Sequence, residues 1–177
     1  MKWIDLKADT ITAAIRYPDS ISLVFASHRR PGGGYMNHER GQEEWIARRT
    51  DLVERLQPYL HLYGDNMKPF YIILKGLQIT STARLPESIV STYHEPWLRD
   101  FICVPAPLAP RKGQPALYEN VTEELERRIF TMCEMVAHYP TFIIGAWGCG
   151  FFGNKLEDVV RLFRKYTKNE TVVMAVK

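Results

Sequence analysis

A chain of 177 residues with 46% hydrophobic and 24% charged side chains is long enough to bury a core of its own as one domain, and too apolar for wholesale disorder. Its net charge of +3 suits an anionic ligand but does not by itself make a nucleic-acid-binding protein. Three cysteines, Cys103, Cys133 and Cys149, with no CxxC pair and no regular spacing, argue against a disulfide framework and a zinc site and point to a reducing, cytoplasmic setting.

In chain order, the residues predict a strand over Lys2–Ala8, a short helix over Asp9–Arg16 and a buried strand, ISLVFA, over Ile21–Ala26. The N-terminal MKWIDLKADT lacks the apolar core of a signal peptide. After the glycine-rich Pro31–Trp45 stretch, Ile46, Val53 and Leu56 fall at helical spacing with Leu52 beside them. They predict one amphipathic helix from Gln42 to about Gln57, ended by Pro58. FYIILKG and LQIT read as extended, and the stretch up to Trp97 as loop. FICVPAP, Phe101–Pro107, is an apolar strand closed by prolines. A helix from about Asn120 to His138 presents Leu125, Ile129, Met132 and Val136 on one face. Thr141–Ile144 is a strand, Leu156, Val159, Val160 and Phe163 form the inner face of a last helix, and TVVMAV closes the chain. Alternating helices and strands, with apolar strands buried on both faces, predict an α/β sandwich around a mixed sheet. The longest apolar run, TFIIGAWGCGFFG, is too short and glycine-rich to span a bilayer, so no membrane partner is expected.

Two glycine loops stand out. PGGGYMNHERGQEEW places Gly32, Gly33 and Gly34 after an apolar strand, where the absence of side chains brings backbone close to a ligand. Arg29, Arg30 and Arg40 bracket it and Arg48 and Arg49 follow, either as ordinary solvated charges or as partners of an anion. GCGFFG, with Gly148, Gly150 and Gly153, matches the GxGxxG spacing formally, but only 24 residues follow Gly153, too few for the rest of a dinucleotide-binding unit. The phosphate-loop pattern fails at Asn154 and Lys155. A cysteine-phosphatase reading of Cys149 fails because Lys155 stands where an arginine is needed. What remains is the property common to phosphate-binding loops, exposed N–H groups next to a helix N-terminus, and a diphosphate is the natural guest. Phe151, Phe152, Tyr35 and Trp147 could wall a nucleoside, or simply pack.

PGGGYMNHERGQEEW resembles the catalytic signature of poly(ADP-ribose) glycohydrolases, and GAWGCGFFGN resembles the second loop of their bacterial-type branch. The likeness extends from ISLVFAS through VPAP to the second loop, in the right order. It implies a macrodomain-like three-layer α/β/α sandwich and hydrolysis of ADP-ribose linkages, with ADP-ribose or an ADP-ribosylated macromolecule as substrate and nucleic acid only if it carries that modification. It implies Glu44 as catalytic acid/base, Glu43 as ligand of the ribose beside the scissile bond and Gln42 as support for the helix start. Gly32, Gly33 and Gly34 would line the distal ribose, and the segment Gly148, Cys149, Gly150, Phe151, Phe152, Gly153 and Asn154 would hold the diphosphate, with Phe152 ordering the distal ribose. Asp9, in KADTI, resembles an acidic adenine contact. The asparagines that the family carries in the strand before the triplet and after PAP are replaced here by Val24 and Leu108.

Adjacent helical residues point about 100° apart, so Glu43 and Glu44 divide labour rather than duplicate it. Cleaving a ribosyl O-glycosidic bond needs a proton on the leaving oxygen and then an activated water, which one carboxyl can serve in turn. The alternatives are a hydrolase of single ADP-ribosyl groups on protein or nucleic acid, a non-catalytic ADP-ribose reader, or QEE as a mere capping arrangement. The five histidines show no HxxxH or HExxH spacing and are expected at the surface or in loops, so no metal and no cofactor is expected.

Overall fold

The computed structural model describes residues 1–81, 85–93 and 96–176. Six strands form one mixed sheet in the order β1-β6-β5-β2-β4-β3. These are β1 (Lys2–Leu6), β2 (Ser20–Phe25), β3 (Ile72–Gln78), β4 (Leu98–Val104), β5 (Thr141–Ile144) and β6 (Thr171–Ala175). Every pairing is parallel except β3 with β4.

The period-2 alternation of strand side chains splits the core into two layers. Ile21 and Leu23 of β2, Phe142 and Ile144 of β5 and Val172 of β6 pack under α5 (Val121–Met135) and α6 (Leu156–Tyr166). Val24, Ile143 and Val173 pack on the other face with residues of α1 (Thr10–Arg16), α2 (Gln42–Ala47), α3 (Leu52–Arg55) and α4 (Glu87–Thr92). The result is the three-layer α/β/α sandwich around a mixed sheet that the sequence predicts. Asp9 caps α1 and Asn120 caps α5 through their side-chain oxygens, which fixes where those helices start.

The single helix expected over 42–57 is two short ones. Thr50 bridges to Ile79, the Arg49 carbonyl accepts from the Thr80 amide, and Asp51 Oδ1 accepts from the Gln78 amide at 2.9 Å. Pairing with the end of β3 thus replaces the helical bonds at the break. Pro58 does not end the helical stretch but lies in the first turn of a 3₁₀ segment, Gln57–Leu62. FYIILKG and LQIT are largely one strand, interrupted where Gly76 has φ +61° and the register with β4 shifts. The stretch expected as loop contains α4, and its residues 82–84 and 94–95 lie outside the described residues. In α6, Leu156 is exposed and Leu162 is buried in its place.

The chain leaves β2 toward β3 by way of α2 and α3, and leaves β5 toward β6 by way of α6, in opposite directions along the sheet and over opposite faces. Neighbouring strands whose connections diverge leave a crevice at their C-terminal ends, where α/β proteins place ligands.

Candidate active site

The crevice is a cleft of about 700 Å³, lined on one side by residues 27–30 and 33–34, and by residues 39–44. On the other side stand Ala146, Gly148, Gly150, Phe151 and Phe152. It therefore joins the two glycine loops, with Glu43 and Glu44 between them.

The first loop is folded around its carboxylates. Glu43 is 3% exposed; its Oε1 accepts from the Gly32 amide at 3.0 Å and its Oε2 from the Ser27 amide at 2.7 Å. Burial pushes its carboxyl up to about 8; the neighbouring Glu44 charge adds to this and the two amides oppose it. Glu44 Oε1 accepts from the Gly34 amide at 3.0 Å, and Oε2 has no hydrogen bond among the described residues. Gly33 has φ +57°, and a Cβ there would fall 2.3 Å from Glu44 Oε1. A Cβ on Gly41 would fall 2.2 Å from Glu44 Oε2. Glycine is needed at both positions because the Glu44 carboxylate occupies the space of the missing side chains.

Gln42 does not cap α2; the N-cap is Gly41, with no side-chain hydrogen bond. Its amide instead staples α2 to the sheet, accepting from the Phe25 amide at 2.9 Å and donating to the Leu23 carbonyl at 2.7 Å and to Thr10 Oγ1 at 2.9 Å. Nor do Glu43 and Glu44 cap their own helix: the amides they accept from belong to the preceding loop.

In the second loop, Gly148 has φ +74° and a Cβ there would meet Ala106 Cβ at 2.7 Å, so this glycine is required by close packing. Asn154 Nδ2 donates to the carbonyls of Pro107 and Gly148 and ties the loop to the segment after β4. The amides of Cys149, Gly153 and Asn154 are bonded within the loop. Those of Gly150, Phe151 and Phe152 donate to no protein acceptor among the described residues, and a Cβ on Gly150 would meet open space. These three consecutive residues line the cleft, as a run of free donors suited to an anion would. Arg111 lies over the 63% exposed Phe151 ring and donates to the Phe151 carbonyl, bracing the loop from outside.

Several sequence-predicted residues are elsewhere. Asp9 does not line the cleft: its carboxylate accepts from the Thr12 amide, Thr12 Oγ1 and the Trp45 indole at 2.9–3.1 Å. Trp147 is fully buried, with its indole donating to the Val104 carbonyl, and Tyr35 packs against the core, so neither walls a nucleoside. Gly32, Cys149, Gly153 and Asn154 do not line the cleft. Burial pushes the half-buried Cys149 thiol up to about 11, as suits a packed rather than reactive sulfur. Val24 is core. The Leu108 amide donates to Asn66 Oδ1, and the buried Asn66 is itself held by Tyr118 and the fully buried Arg128.

His28 is the residue that sequence reasoning missed. It lines the cleft, meets Phe152 edge-on at 5.9 Å, and its buried Nδ1 has no hydrogen-bond partner among the described residues. Burial, helped by Arg29 and Arg128 and opposed by Asp65, lowers its pKa from the ordinary histidine value. Its place directly after the central strand was the available signal. Among the described residues, no three His, Cys, Asp or Glu side chains are grouped to hold a metal ion, and no helix is long and apolar enough to cross a membrane.

The family described as microbial-type PARG, catalytic domain, matches residues 6–75. The chain is also similar to the poly(ADP-ribose) glycohydrolase of Thermomonospora curvata, with TM-score 0.80 and 25% identity over 99% of this chain and 70% of that one. The same enzyme bound to the inhibitor ADP-HPD matches at TM-score 0.75 and 25% identity, over 99% and 72%. The Deinococcus radiodurans poly(ADP-ribose) glycohydrolase in complex with ADP-ribose matches at TM-score 0.79 and 25% identity, over 99% and 77%. A comparison with curated proteins gave no match.

Proposed function

We propose that this chain is a glycohydrolase of the microbial PARG type, cleaving the ribosyl O-glycosidic bonds of poly(ADP-ribose) and releasing ADP-ribose. The observation that carries the reading is the cleft itself: a pair of carboxyls seated by one glycine loop, facing a row of unpaired amides on the other. The amides of Gly150, Phe151 and Phe152 suit a diphosphate, held as anions are by clustered backbone N–H groups.

The geometry supports a division of roles. Both Glu43 oxygens accept backbone amides, so that group is fixed and serves as ligand to the ribose beside the scissile bond. Being neutral at pH 7, it meets the substrate without adding negative charge next to the diphosphate. Glu44 has a free oxygen, Oε2, and is the acid/base. The protonated form of Glu44 is the reactive one: its carboxyl proton passes to the leaving oxygen as the bond from the anomeric carbon breaks. The resulting carboxylate then takes a proton from the water whose oxygen bonds to that carbon. Removal of single ADP-ribosyl groups would use the same centre, while a reader would have no need for Glu44 to be seated with an oxygen left open. The three free cysteines support a reducing compartment, the cytoplasm.

The test is incubation with poly(ADP-ribose) and, separately, with mono-ADP-ribosylated protein and DNA, reading free ADP-ribose by chromatography. Release from the polymer by the wild-type chain and not by Glu44→Gln is the expected result. Release from neither polymer nor single modifications would leave only the reader.

A further inference from the structure

Beside the cleft lies a second cavity, of about 810 Å³, reached past Arg40 and Gly41, which line both. Gly41 is the residue whose missing side chain leaves room for Glu44 Oε2, so the second cavity begins where the proposed acid/base ends. None of its lining belongs to the second glycine loop. Its walls carry His38, Arg40, Arg48, Arg49 and Trp45, and no acidic side chain among the described residues. Arg48 is held in place, donating to the carbonyls of Tyr35 and Glu39 at 2.9 and 2.7 Å. The Arg49 guanidinium, itself buried, lies 3.3 Å from the ring centre of the half-buried Trp45, which places a cation against the aromatic part of the wall.

Resting on the functional reading above, we propose that this cavity is the subsite for the leaving group, and that it takes an adenosine diphosphate unit, the next residue of the polymer. The chemistry of the chain fits the order of the surfaces. The unit being released places its diphosphate on the free amides of residues 150–152 and its anomeric carbon at Glu44. The leaving oxygen belongs to a ribose that also carries a purine and, at its other end, a second diphosphate. That ribose emerges past Gly41, its diphosphate meets Arg40 and Arg48, and its purine meets the Trp45–Arg49 wall. A protein side chain as leaving group would use none of these contacts. The subsite thus directs the enzyme toward polymer rather than toward single modifications.

The experiment measures affinity by calorimetry in the Glu44→Gln protein, which holds substrates uncleaved, with ADP-ribose, its linked dimer and an ADP-ribosylated single-stranded oligonucleotide as probes. The dimer is expected to bind about tenfold or more tighter than ADP-ribose, as one or two added charge-assisted contacts provide. The advantage should shrink as salt is raised. Adding Arg48→Gln or His38→Glu should remove most of it while ADP-ribose affinity stays nearly constant. His38 is exposed and makes no side-chain hydrogen bond among the described residues, so its variant tests the charge even if Arg48→Gln disturbs the turn. A dimer that binds no tighter than ADP-ribose, or an advantage untouched by both variants, overturns the subsite. A gain for the oligonucleotide alone overturns it in favour of nucleic acid. Failure of ADP-ribose itself to bind would bring down the functional reading instead.

Discussion

In the first glycine loop the amides of Gly32 and Gly34 are taken by Glu43 and Glu44, whereas in the second those of Gly150, Phe151 and Phe152 are left without a protein acceptor. Both loops follow neighbouring parallel strands, and both are glycine-rich. The first is glycine-rich so that carboxylates can occupy the space of absent side chains, as Gly33 and Gly41 do for Glu44. The second is glycine-rich so that backbone can bend away from Ala106 at Gly148 and stand open at Gly150. One loop spends its amides on its own carboxylates; the other leaves donors unmet, which is what the proposed diphosphate site requires. A glycine's neighbours, and not its count, tell which it is.

The largest expected effect is at the centre of the first loop. Glu44→Gln keeps the shape and the bond from Gly34 but removes the transferable proton, and turnover should fall by at least ~100-fold, the low end for a lost general acid/base. ADP-ribose affinity should change little, as calorimetry on the same protein will read. Gly33→Ala should come next. It adds about 1–2 kcal/mol of backbone strain at φ +57°, and a methyl 2.3 Å from Glu44 Oε1 that must displace the carboxylate. Its kcat should drop far more than its melting temperature, since the damage is to aim rather than to packing. Equal losses of both would place the effect in folding.

The second loop should answer differently. The Cβ that Gly150→Val adds meets no protein atom within 4 Å, and the variant should leave stability within about 0.5 kcal/mol, as for ordinary surface substitutions. By crowding the free amides it should weaken ADP-ribose binding about tenfold, in line with one lost hydrogen bond to a charged group of about 1.5–3 kcal/mol. An unchanged Kd would remove the diphosphate from this loop.

The smallest effect is one of pH and concerns Glu43. The folded protein keeps its proton up to about 8, while the unfolded chain releases it near 4.5. Between those values the folded state binds more protons, so this group's stabilisation is full below the lower value and is lost as pH rises through the higher one. The melting temperature should therefore decline from pH 5 toward pH 8, and the decline should be shallower in Glu43→Gln. A wild-type curve that rises over this interval, or a variant with the same slope, would show that Glu43 ionises normally.

Much of this arrangement was legible in the sequence, because it rests on local pattern. ISLVFA is buried on both faces as β2, Asn120 caps the helix expected at that position, and the glycine triplet and QEE come together on one side of the cleft. The failures share a cause, which is tertiary pairing that no local signal announces. The helix expected over 42–57 breaks because Thr50 and Asp51 pair with β3. Trp147 reads as a nucleoside wall but is drawn into the core by the Val104 carbonyl. Asp9 reads as an adenine contact, yet its oxygens are engaged by Thr12 and Trp45. His28 passed as an ordinary loop histidine because nothing in SHRR reveals that Phe152 will stand against it.

The Gln42 staple has a consequence for how the molecule assembles. Helix α2 has six residues, too few to persist alone in water, where isolated helices shorter than about 12–15 residues are marginal. Its carboxylates are therefore not arranged until something outside the helix holds it. Part of that support is core packing of Ile46 and Ala47, and part is one amide reaching Leu23 and Phe25 in the central strand and Thr10 on the neighbouring helix. These partners lie 17–32 positions away in sequence, so the loops between them must close first. The arrangement of the two glutamates is therefore a tertiary property: it depends on contacts far apart in sequence and not on the helix that carries them.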